Sequence, residues 1–373
     1  MKKRFWKWVL FFVVVAGCVE PFNLSIPVSA VNVLVIDGFI NASDSTVDVI
    51  LSRAVPVSST DSSYAETGAN VTIQVGEGPS YALSEGAAGY YHRKMPFSLG
   101  TKYKLNIATR DDAQYSSDFI DILETPPIDS VYWTPTRLGV QLFVDAHDPA
   151  GATRYYRWTF DETWKFRSPY YVYTIWKDSQ MVFVPPANNI CWKSSSSTDI
   201  LVYSTAALTE DKVSQFQVNF LPHGIQKLST KYSINVHQRA ITAELYDFWQ
   251  QIQTKTQNGG SLFSVLPTQV IGNVHSETNP SETVLGYFSG STVTNKRIFI
   301  DTLQLPYYLQ SLPAYYDCPN DTFPFVNFPP PDSTLFYNTY SGIAGILGYL
   351  STRTICMDCR YDGGTLTQPD FWK

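Results

Sequence analysis

Charged residues are scarce in this chain and make up 16% of its 373 residues, against roughly 25% in an average soluble domain. Beyond the first eighteen residues, no apolar run approaches the about 20 residues that a membrane-spanning helix needs. The net charge is −6, so the excess of lysine and arginine that drives binding to nucleic acid is lacking. This composition excludes a coiled coil, a collagen and a protein with several membrane helices, and it argues against a nucleic-acid partner.

Signatures of catalysis are also missing. The sequence has no GxSxG elbow, no HExxH pair, no phosphate-binding P-loop and no GxGxxG turn. The five histidines are scattered without the spacing of metal ligands. We therefore expect no enzyme activity, no metal and no cofactor.

Two acidic groups are the densest catalytic alternatives. Residues Asp145–Asp148 include carboxylates and an imidazole that could ligate a cation, although a strand that ends in an Asp-Pro turn explains them better. Asp161 and Glu162 stand together among aromatic residues, a setting that suits glycoside chemistry. Adjacent strand residues point to opposite faces, so we expect these carboxylates to diverge and Arg157 to pair with one of them.

Short alternating runs dominate the rest of the chain, and aromatic residues make up 15% of it. In the run 46–55, Val47, Val49 and Leu51 would face one side of a strand. Strands spaced every ~8–12 residues indicate antiparallel sandwiches. The sequence predicts a mainly β fold with two antiparallel sandwich-like domains, over residues 31–125 and 126–305. The division falls at Thr125-Pro126-Pro127, because Pro-Pro ends strands and stiffens a linker.

One amphipathic helix is predicted, over residues 242–257. Thr242 is a suitable N-cap, and Glu244 lies in the first turn, where the helix dipole favours an acid. Four apolar residues fall on one stripe at helical spacing: Leu245, Phe248, Trp249 and Ile252. We expect this stripe to pack on the second β domain.

The chain begins with a basic stretch and an apolar run over residues 8–17, directly before Cys18. This run is too short to span a membrane and is typical of a secretory leader. Small residues before a cysteine resemble the bacterial lipobox, in which the cysteine is acylated and becomes the new N-terminus. We predict a lipoprotein leader over residues 1–17, lipid attachment at Cys18 and a tether over residues 18–30. An ordinary leader followed by an incidental cysteine is the alternative.

Four cysteines follow Cys18, namely Cys191, Cys318, Cys356 and Cys359. An even number in an exported chain suggests two disulfides, for which three pairings exist. A redox role for the CxxC pair would need a βαβ setting, and a zinc site would need a second pair of ligands with suitable spacing. We expect structural disulfides, and a bridge from Cys318 to Cys356 or Cys359 would tether the C-terminal segment.

The C-terminal segment, residues 306–373, is expected to be irregular, apart from a short helix predicted over Tyr337–Leu350. Its first part is rich in proline and in rings that need either burial or a partner. Aromatic side chains on a stiff backbone make good interface anchors. Seven rings are therefore candidates for partner binding: Tyr307, Tyr308, Tyr315, Tyr316, Phe323, Phe325 and Phe328. The alternative is that they fold back on the second domain.

A series of motifs runs in order along nearly the whole chain beyond the leader. The motifs are Cys18-Val19-Glu20-Pro21-Phe22, 34–38, 155–164, Cys191-Trp192, 232–249, 272–274, 284–288 and Cys356-x-x-Cys359 with its Trp-containing tail. Together they resemble a family of Bacteroidota outer-membrane lipoproteins that carries a domain of unknown function. Members are typically encoded beside SusC-type TonB-dependent transporters. The resemblance implies a lipoprotein of the outer membrane that works with such a transporter, and it supplies no catalytic residues.

These observations lead to one expected function and one alternative. We expect a non-catalytic accessory or substrate-capture component of a SusC-like TonB-dependent transporter, held at the cell surface by acyl chains in the membrane. The alternative is a stand-alone surface lipoprotein that binds a glycan or a peptide, because tryptophan and tyrosine rings stack on sugars. A small glycan or peptide is the expected cargo in either case.

Overall fold

The computed structural model describes residues 33–54, 63–184, 189–257, 272–310, 317–327, 329–331, 333–343 and 345–373. The predicted leader, Cys18 and the tether lie outside these residues, as do Tyr315, Tyr316 and Phe328. Within the described part of the chain, no helix is long and apolar enough to cross a membrane. The structure there is mainly β, which confirms the predicted fold class.

The strands are short and follow one another closely. The N-terminal strands are β1 Leu34–Asn41, β2 Thr46–Ala54, β3 Ser63–Ala65, β4 Asn70–Val75, β5 Ser80–Ala82, β6 Ser84–Glu85, β7 Tyr90–Lys94, β8 Lys102–Ala108, β9 Gln114–Ser117 and β10 Ile120–Asp121. The central strands are β11 Ile128–Thr136, β12 Gly139–His147, β13 Tyr155–Arg167, β14 Thr174–Lys177, β15 Gln180–Phe183, β16 Ile190–Ser196, β17 Leu201–Ser204, β18 Lys212–Pro222, β19 Lys231–Ala240, β20 Val274–Ser276, β21 Val284–Ser291 and β22 Val293–Asp301. The last strands are β23 Asp321–Pro324, β24 Leu335–Phe336, β25 Asn338–Gly342 and β26 Gly345–Ser351.

The first sandwich packs two sheets face to face. One sheet has the strand order β21-β1-β2-β7-β6, with β3 on β2, and the other has the order β20-β9-β8-β4-β5, with β10 on β8. Alternate residues of each strand point into the space between the sheets. Val47, Val49 and Leu51 are fully buried there, as their alternation predicted. They share one core with Val71 and Ile73 of the opposite sheet.

Two strands from late in the chain complete this first sandwich. Strand β21 lies parallel to β1, with Val284 opposite Leu34, and β20 pairs with β9. Residues 274–291 therefore pair with the N-terminal strands, whereas the division made from the sequence places them in the second domain, 126–305. Alternation in a strand predicts that one face is buried, but it does not identify the strand's neighbour.

Gly286 allows β21 to approach β1 closely. Its φ angle is +126°, a conformation that other residues rarely adopt, and a Cβ atom there would lie 1.8 Å from the carbonyl oxygen of Ile36. The only residue that fits this backbone contact is glycine. The parallel pairing of the two strands therefore depends on this position.

The second sandwich encloses a separate core. One sheet has the order β11-β12-β18, and the other has the order β16-β13-β19-β22, with β17 on β13. Trp158 is fully buried between the sheets, and its indole Nε1–H donates a hydrogen bond of 2.9 Å to Gln238. Tyr156 stacks beside Trp158, with 5.6 Å between the ring centres. Trp158 therefore buries its ring while its indole N–H keeps a hydrogen-bond partner, and both effects stabilise the centre of the domain.

The junction between the sandwiches is tied by hydrogen bonds. The Thr125 N–H donates to the Thr292 hydroxyl at 2.8 Å, and the Thr125 hydroxyl accepts from the Ala240 N–H at 2.9 Å. The carbonyl of Pro126 accepts from the Gln238 side chain at 2.9 Å. Residues 125–127, predicted as a stiff linker, thus lie beside the later passage of the chain from β21 to β22, and the two passages hold each other in place.

The predicted helix is present as α1, Ala243–Gln257. Thr242 caps it, since its hydroxyl accepts a hydrogen bond of 3.2 Å from the Leu245 N–H. Leu245 and Phe248 are buried, and they pack with half-buried residues of the second sandwich such as Val202. The same cluster includes Tyr287 of β21. The helix therefore packs on the second sandwich, as predicted, and also touches a strand of the first.

The C-terminal segment contains short sheets. Strands β23, β26 and β25 form one of them, and β24 adds to the hairpin of β14 and β15. The expected short helix over Tyr337–Leu350 is wrong, because β24 lies just before this range and β25 and β26 form a hairpin within it. Gly342, Gly345 and Gly348 each disfavour a helix, and the β-branched residues between them and the tyrosines on either side suit a strand.

All four cysteines after Cys18 are paired, which confirms the expected disulfides. Cys318 bonds to Cys356, and Cys191 bonds to Cys359 across a sequence separation of 168 residues. The first bridge closes the C-terminal segment on itself, and the second fastens it to β16 of the second sandwich. Because a bridge over a long loop removes much of the unfolded chain's entropy, the second bridge stabilises the attachment strongly.

Candidate functional site

The described rings among the seven predicted contact residues fall into two groups. Tyr307 and Tyr308 lie in a short 3-10 helix and are 90% and 50% exposed. Phe325 is also about half exposed, at 49%. Phe323 is half-buried and packs edge-on against Phe336, with 5.5 Å between ring centres. Some of these rings thus face solvent, whereas Phe323 folds back on the protein.

Apolar side chains are concentrated at one end of the β23-β26-β25 sheet. We call this group the hairpin tip; it consists of Phe325, Val326, Ile343, Ile346 and Leu347. Val326 is 89% exposed, Ile343 is fully exposed, and the other three are about half exposed. Exposed apolar side chains grouped in this way are typical of a contact surface rather than of an ordinary solvated loop. Sequence reasoning found Phe325 here but missed the four aliphatic residues.

A rigid frame carries the hairpin tip. Phe336 is buried and lies 5.2 Å from the ring of Tyr349, which in turn contacts Phe325. Tyr337 stacks on Tyr170 with 4.2 Å between ring centres, and this contact links the frame to the chain that leaves β13. Together with the two disulfides, these ring contacts hold the tip in a fixed position, which lowers the entropy cost of binding.

Asp161 and Glu162 diverge, as their places on β13 predicted. The Asp161 carboxylate lies on the outer face, 2.9 Å from His237. Glu162 points inward and is 5% exposed, and its carboxylate accepts hydrogen bonds from the Tyr232 hydroxyl at 2.9 Å and from Ser195 at 2.7 Å. The two carboxylates therefore lie on opposite faces of β13 and do not face one common site.

Lys227 completes the surroundings of Glu162. Its ammonium group forms an ion pair with the Glu162 carboxylate and lies 5.1 Å from the Trp164 ring centre. Burial, together with the Glu162 charge, raises the pKa of Tyr232 well above its usual value. Tyr232 therefore stays a hydrogen-bond donor at physiological pH. This network is a satisfied polar cluster in the core.

The residues Asp145–Asp148 do not converge on a cation either. Asp145 accepts hydrogen bonds from Ser130 and from the Gln215 N–H, at 3.0 and 2.6 Å. His147 contacts Asp129 at 2.7 Å. Across the described residues, no group of three or more His, Cys, Asp or Glu side chains could hold a metal ion.

Asp148 organises the turn that follows β12. Its carboxylate accepts hydrogen bonds from the N–H groups of Ala150, Ala152 and Thr153, at 2.8–2.9 Å. Burial alone would raise the pKa of Asp148, but these donors outweigh burial and hold the pKa below its ordinary value. The residue is thus a structural cap of the turn, as the Asp-Pro pattern indicated.

A cleft forms where the outer face of β1 meets β13, β19 and α1. Arg157 and Arg239 stand directly opposite each other on β13 and β19, so their side chains share a face. The Arg157 guanidinium lies 3.8 Å from the Trp249 ring centre, and the Arg239 guanidinium lies 3.9 Å from that of Phe39. Asp37 shares the face of Phe39 on β1. We call these five residues the junction cleft.

Apart from these ring contacts, the two arginines of the junction cleft make no hydrogen bond or ion pair with the described residues. The Nε–H groups of Arg157 and Arg239 and the Nε1–H of Trp249 are buried and make no hydrogen bond within the described residues. Burial, reinforced by the charge of Arg157, lowers the pKa of Arg239 to about 10, against the opposing charges of Asp37 and Asp48. Burial also lowers the pKa of Arg157. Both groups are therefore desolvated cations.

A cavity of about 370 Å³ adjoins the junction cleft, between α1 and the parallel strands β1 and β21. Its apolar lining includes Val35, Ile36, Phe248, Ile252, Leu285 and Tyr287. Asp37 and Trp249 line the cavity and also belong to the cleft. Asp37 is the charged residue of this described lining. Neither arginine is part of this lining; Arg157 adjoins the cavity through Trp249, on whose ring it stacks.

The sequence did not predict the junction cleft. We expected Arg157 to pair with Asp161 or Glu162, and this is wrong, because Arg157 stacks on Trp249 instead. Arg157 follows an aromatic pair on a strand, and Asp37 interrupts an apolar strand; these two charges were the available signals. Neither signal shows that the two strands meet, since that depends on how the sandwiches are joined.

These features define a mainly β protein in which two sandwiches are joined by two passages of the chain and a helix lies over the junction. The chain belongs to the family described as a domain of unknown function (DUF4249), whose match spans residues 19–297. No curated protein matches the chain. The matched range includes the first sandwich, the junction cleft and the second sandwich as far as the middle of β22, and it ends before the C-terminal segment that carries the hairpin tip.

Proposed function

We propose that this protein is a Bacteroidota outer-membrane lipoprotein that serves as a non-catalytic accessory or substrate-capture component of a SusC-like TonB-dependent transporter. The leader over residues 1–17 and Cys18 support an acyl anchor at the cell surface. The family resemblance supports the partner, because its members are typically encoded beside such transporters. Contact with a protein is supported by the hairpin tip, which is an exposed group of apolar side chains on a rigid frame.

The hairpin tip suits a protein partner better than it suits solvent. Burying apolar surface stabilises a complex by roughly 25 cal/mol per Å². The tip offers several such side chains in one place, and the frame fixes them before binding, so little ordering is needed. A surface lipoprotein that docks on a transporter needs such a preformed contact.

A non-catalytic role agrees with the chemistry of the acidic residues. Glu162 is held in its ion pair with Lys227, and Asp148 caps a turn. Asp161 lies beside His237 on the outer face of the second sandwich, without a second carboxylate on that face at the neighbouring position of β13. General acid–base catalysis on a sugar requires two carboxylates on either side of one bond. We therefore assign these residues to structure.

The transporter contact can be tested by co-purification. A tagged copy expressed at its natural level is extracted from outer membranes, and the recovered proteins are identified by mass spectrometry. We expect a TonB-dependent transporter at near-stoichiometric yield with the wild type, and at least a tenfold lower yield with Val326→Ser/Ile343→Ser. Leu138→Ser is the matched control, because Leu138 is 76% exposed on the β11–β12 hairpin and lies outside the tip.

Three results would contradict this proposal. A wild-type protein that brings down no transporter would remove the partner. A tip variant that recovers the transporter at full yield would place the contact elsewhere. If the tip variant no longer binds liposomes but recovers the transporter at an unchanged yield, the tip contacts the membrane and not the transporter. Melting temperatures of both variants should equal that of the wild type, because exposed substitutions usually change stability by less than about 0.5 kcal/mol.

The second candidate is a stand-alone lipoprotein that binds a glycan or a peptide. Tyr307 and Tyr308 favour it, because two adjacent exposed rings can stack on sugars. Retention on a glycan array without any transporter present, lost in Tyr307→Ala/Tyr308→Ala, would support this function. Retention that survives the double substitution would contradict the assignment of the site.

A further inference from the structure

We propose that the junction cleft and its adjoining cavity bind a small organic monocarboxylate with an apolar body. The guanidinium groups of Arg157 and Arg239 would hold the carboxylate, and the cavity between α1 and the parallel strands would hold the apolar body. This inference does not depend on the transporter contact, because it concerns another part of the molecule and is tested on the protein alone.

The arginine pair has the properties of an anion site. Arg157 and Arg239 are like charges directly opposite each other on neighbouring strands, and such pairs destabilise a sheet. Each is stacked on an aromatic ring, which fixes the plane of its guanidinium, but no hydrogen bond or ion pair satisfies its buried Nε–H within the described residues. Unpaired donors in a desolvated site are costly, and a carboxylate placed between the two guanidiniums would accept hydrogen bonds from their terminal N–H groups, which are not among the buried unpaired atoms.

The surrounding charges select the valence of the ligand. Asp37 lines the cavity, and Asp48 lies on β2 beside Phe39 and receives a hydrogen bond from the Tyr90 hydroxyl. These two carboxylates offset the two guanidinium charges at longer range, so the site is close to neutral overall. The cost of taking an anion out of water rises more steeply with its charge than its attraction to a site that is close to neutral, so a single negative charge is favoured over a dianion such as a phosphate monoester.

The cavity sets the size and character of the rest of the ligand. Its volume of about 370 Å³ lies at the lower end of the about 300–1,000 Å³ that is usual for small-molecule sites. Aliphatic and aromatic side chains form most of its lining, so an apolar body of a few to about ten carbon atoms gains from burial there. A free carboxylic acid and the C-terminal carboxylate of an apolar dipeptide share this chemistry.

Calorimetric titration tests whether the site recognises a carboxylate, and it distinguishes a free carboxylic acid from a peptide C-terminus. The protein at its natural processed length is titrated with 4-phenylbutyrate and with 4-phenylbutanol, which lacks the charge. We expect the acid to bind at least tenfold more tightly than the alcohol. N-acetyl-Leu-Leu, titrated in parallel, distinguishes the two sources: tighter binding than 4-phenylbutyrate points to a peptide C-terminus, and weaker binding points to a free acid.

Substitutions connect the binding to the named residues. Arg157→Met and Arg239→Met should each weaken the acid at least tenfold and leave the alcohol unchanged, without lowering the melting temperature, because each removes an unpaired buried charge. Ile252→Ala should weaken the acid and the alcohol alike. Arg167→Met is the matched control, since Arg167 lies on the same strand but is exposed near Tyr171, and it should change neither affinity.

Several outcomes would overturn the inference. Equal affinities for the acid and the alcohol would show that the arginines do not recognise the charge. Undetectable binding of the acid by the folded wild type would exclude the site. A folded Arg157→Met protein with wild-type affinity for the acid would place the site elsewhere. If Arg157→Met does not fold, Arg157→Lys replaces it. We expect this variant to bind the acid more weakly, because lysine lacks the planar fork of arginine. Undiminished binding would count against the site.

Discussion

Removing the positive partner of Glu162 should destabilise the second sandwich substantially. Glu162 is 5% exposed, and the Lys227 ammonium is its counter-ion. Among the described residues, Lys227→Met would leave a buried carboxylate held by the neutral donors of Tyr232 and Ser195 and, at longer range, Asn219. Breaking a buried ion pair by removing one partner costs about 3–5 kcal/mol. Because neutral donors remain, we expect the lower end, about 3 kcal/mol.

A double-mutant cycle shows whether the cost comes from the unpaired charge. Glu162→Gln keeps the shape of the side chain and leaves Lys227, whose side chain is 28% exposed, free to reach water; we expect a loss of about 1–2 kcal/mol. The double variant carries no unpaired charge, so it should be more stable than Lys227→Met alone. The expected coupling energy between the two positions is about 2 kcal/mol.

Urea unfolding with the disulfides intact measures these values, and Lys102→Met is the control. The Lys102–Asp121 pair is more than half exposed on both sides, and its loss should cost less than about 0.5 kcal/mol. The role of Lys227 as counter-ion is refuted if Lys227→Met unfolds at the same urea concentration as the wild type. It is equally refuted if the two substitutions are additive, since the carboxylate would then not depend on its partner.

Three further predictions concern the anchor, a turn and the parallel strand pair. Cys18→Ser should move the protein from the detergent phase to the aqueous phase in a phase-partition assay, or block its processing; an unchanged yield in the detergent phase would contradict acylation. Asp148→Asn should cost about 1 kcal/mol at pH 7. Because the pKa of Asp148 is lowered in the folded state, its stabilisation is complete above the ordinary value of 3.8 and is lost as the pH falls through the lower folded value, so melting temperatures of variant and wild type should converge below that pH. A difference in melting temperature that persists below that pH would show that the stabilisation does not come from the charge of Asp148. Gly286→Ala should destabilise the protein by at least about 2 kcal/mol in urea unfolding, because of the positive φ and the contact with the Ile36 carbonyl, and a neutral result would mean that β21 does not lie against β1 as closely as described.

Features that depend on neighbouring residues could be predicted from the sequence. The alternation of Val47, Val49 and Leu51 predicted a strand with one buried face, and the stripe from Leu245 to Ile252 predicted a helix with one buried side. Thr242 was recognised as the cap because a side-chain oxygen at that position reaches the first turn. These signals are local, since the spacing of side chains along one element decides which face is apolar.

Cysteine pairing was predictable only in part. An even number of cysteines in an exported chain predicted two bridges, and the bridge from Cys318 to Cys356 was one of two options for that residue. The bond between Cys191 and Cys359 requires strand β16 and the C-terminal segment to lie side by side. Sequence spacing carries no information about such an approach, because a disulfide forms only where two Cα atoms come within about 7 Å.

The tertiary structure alone decided the boundaries of the first sandwich and the existence of the junction cleft. Strand β21 follows β1 by about 250 residues, yet it completes the same sheet because Gly286 permits close contact with Ile36. The same closure brings the outer face of β1 against β13, β19 and α1, so that Asp37, Arg157, Arg239 and Trp249 meet. Periodicity shows which face of a strand is buried, but the partner of that face is chosen by packing of the whole chain, and a site built from several distant elements exists only after that choice is made.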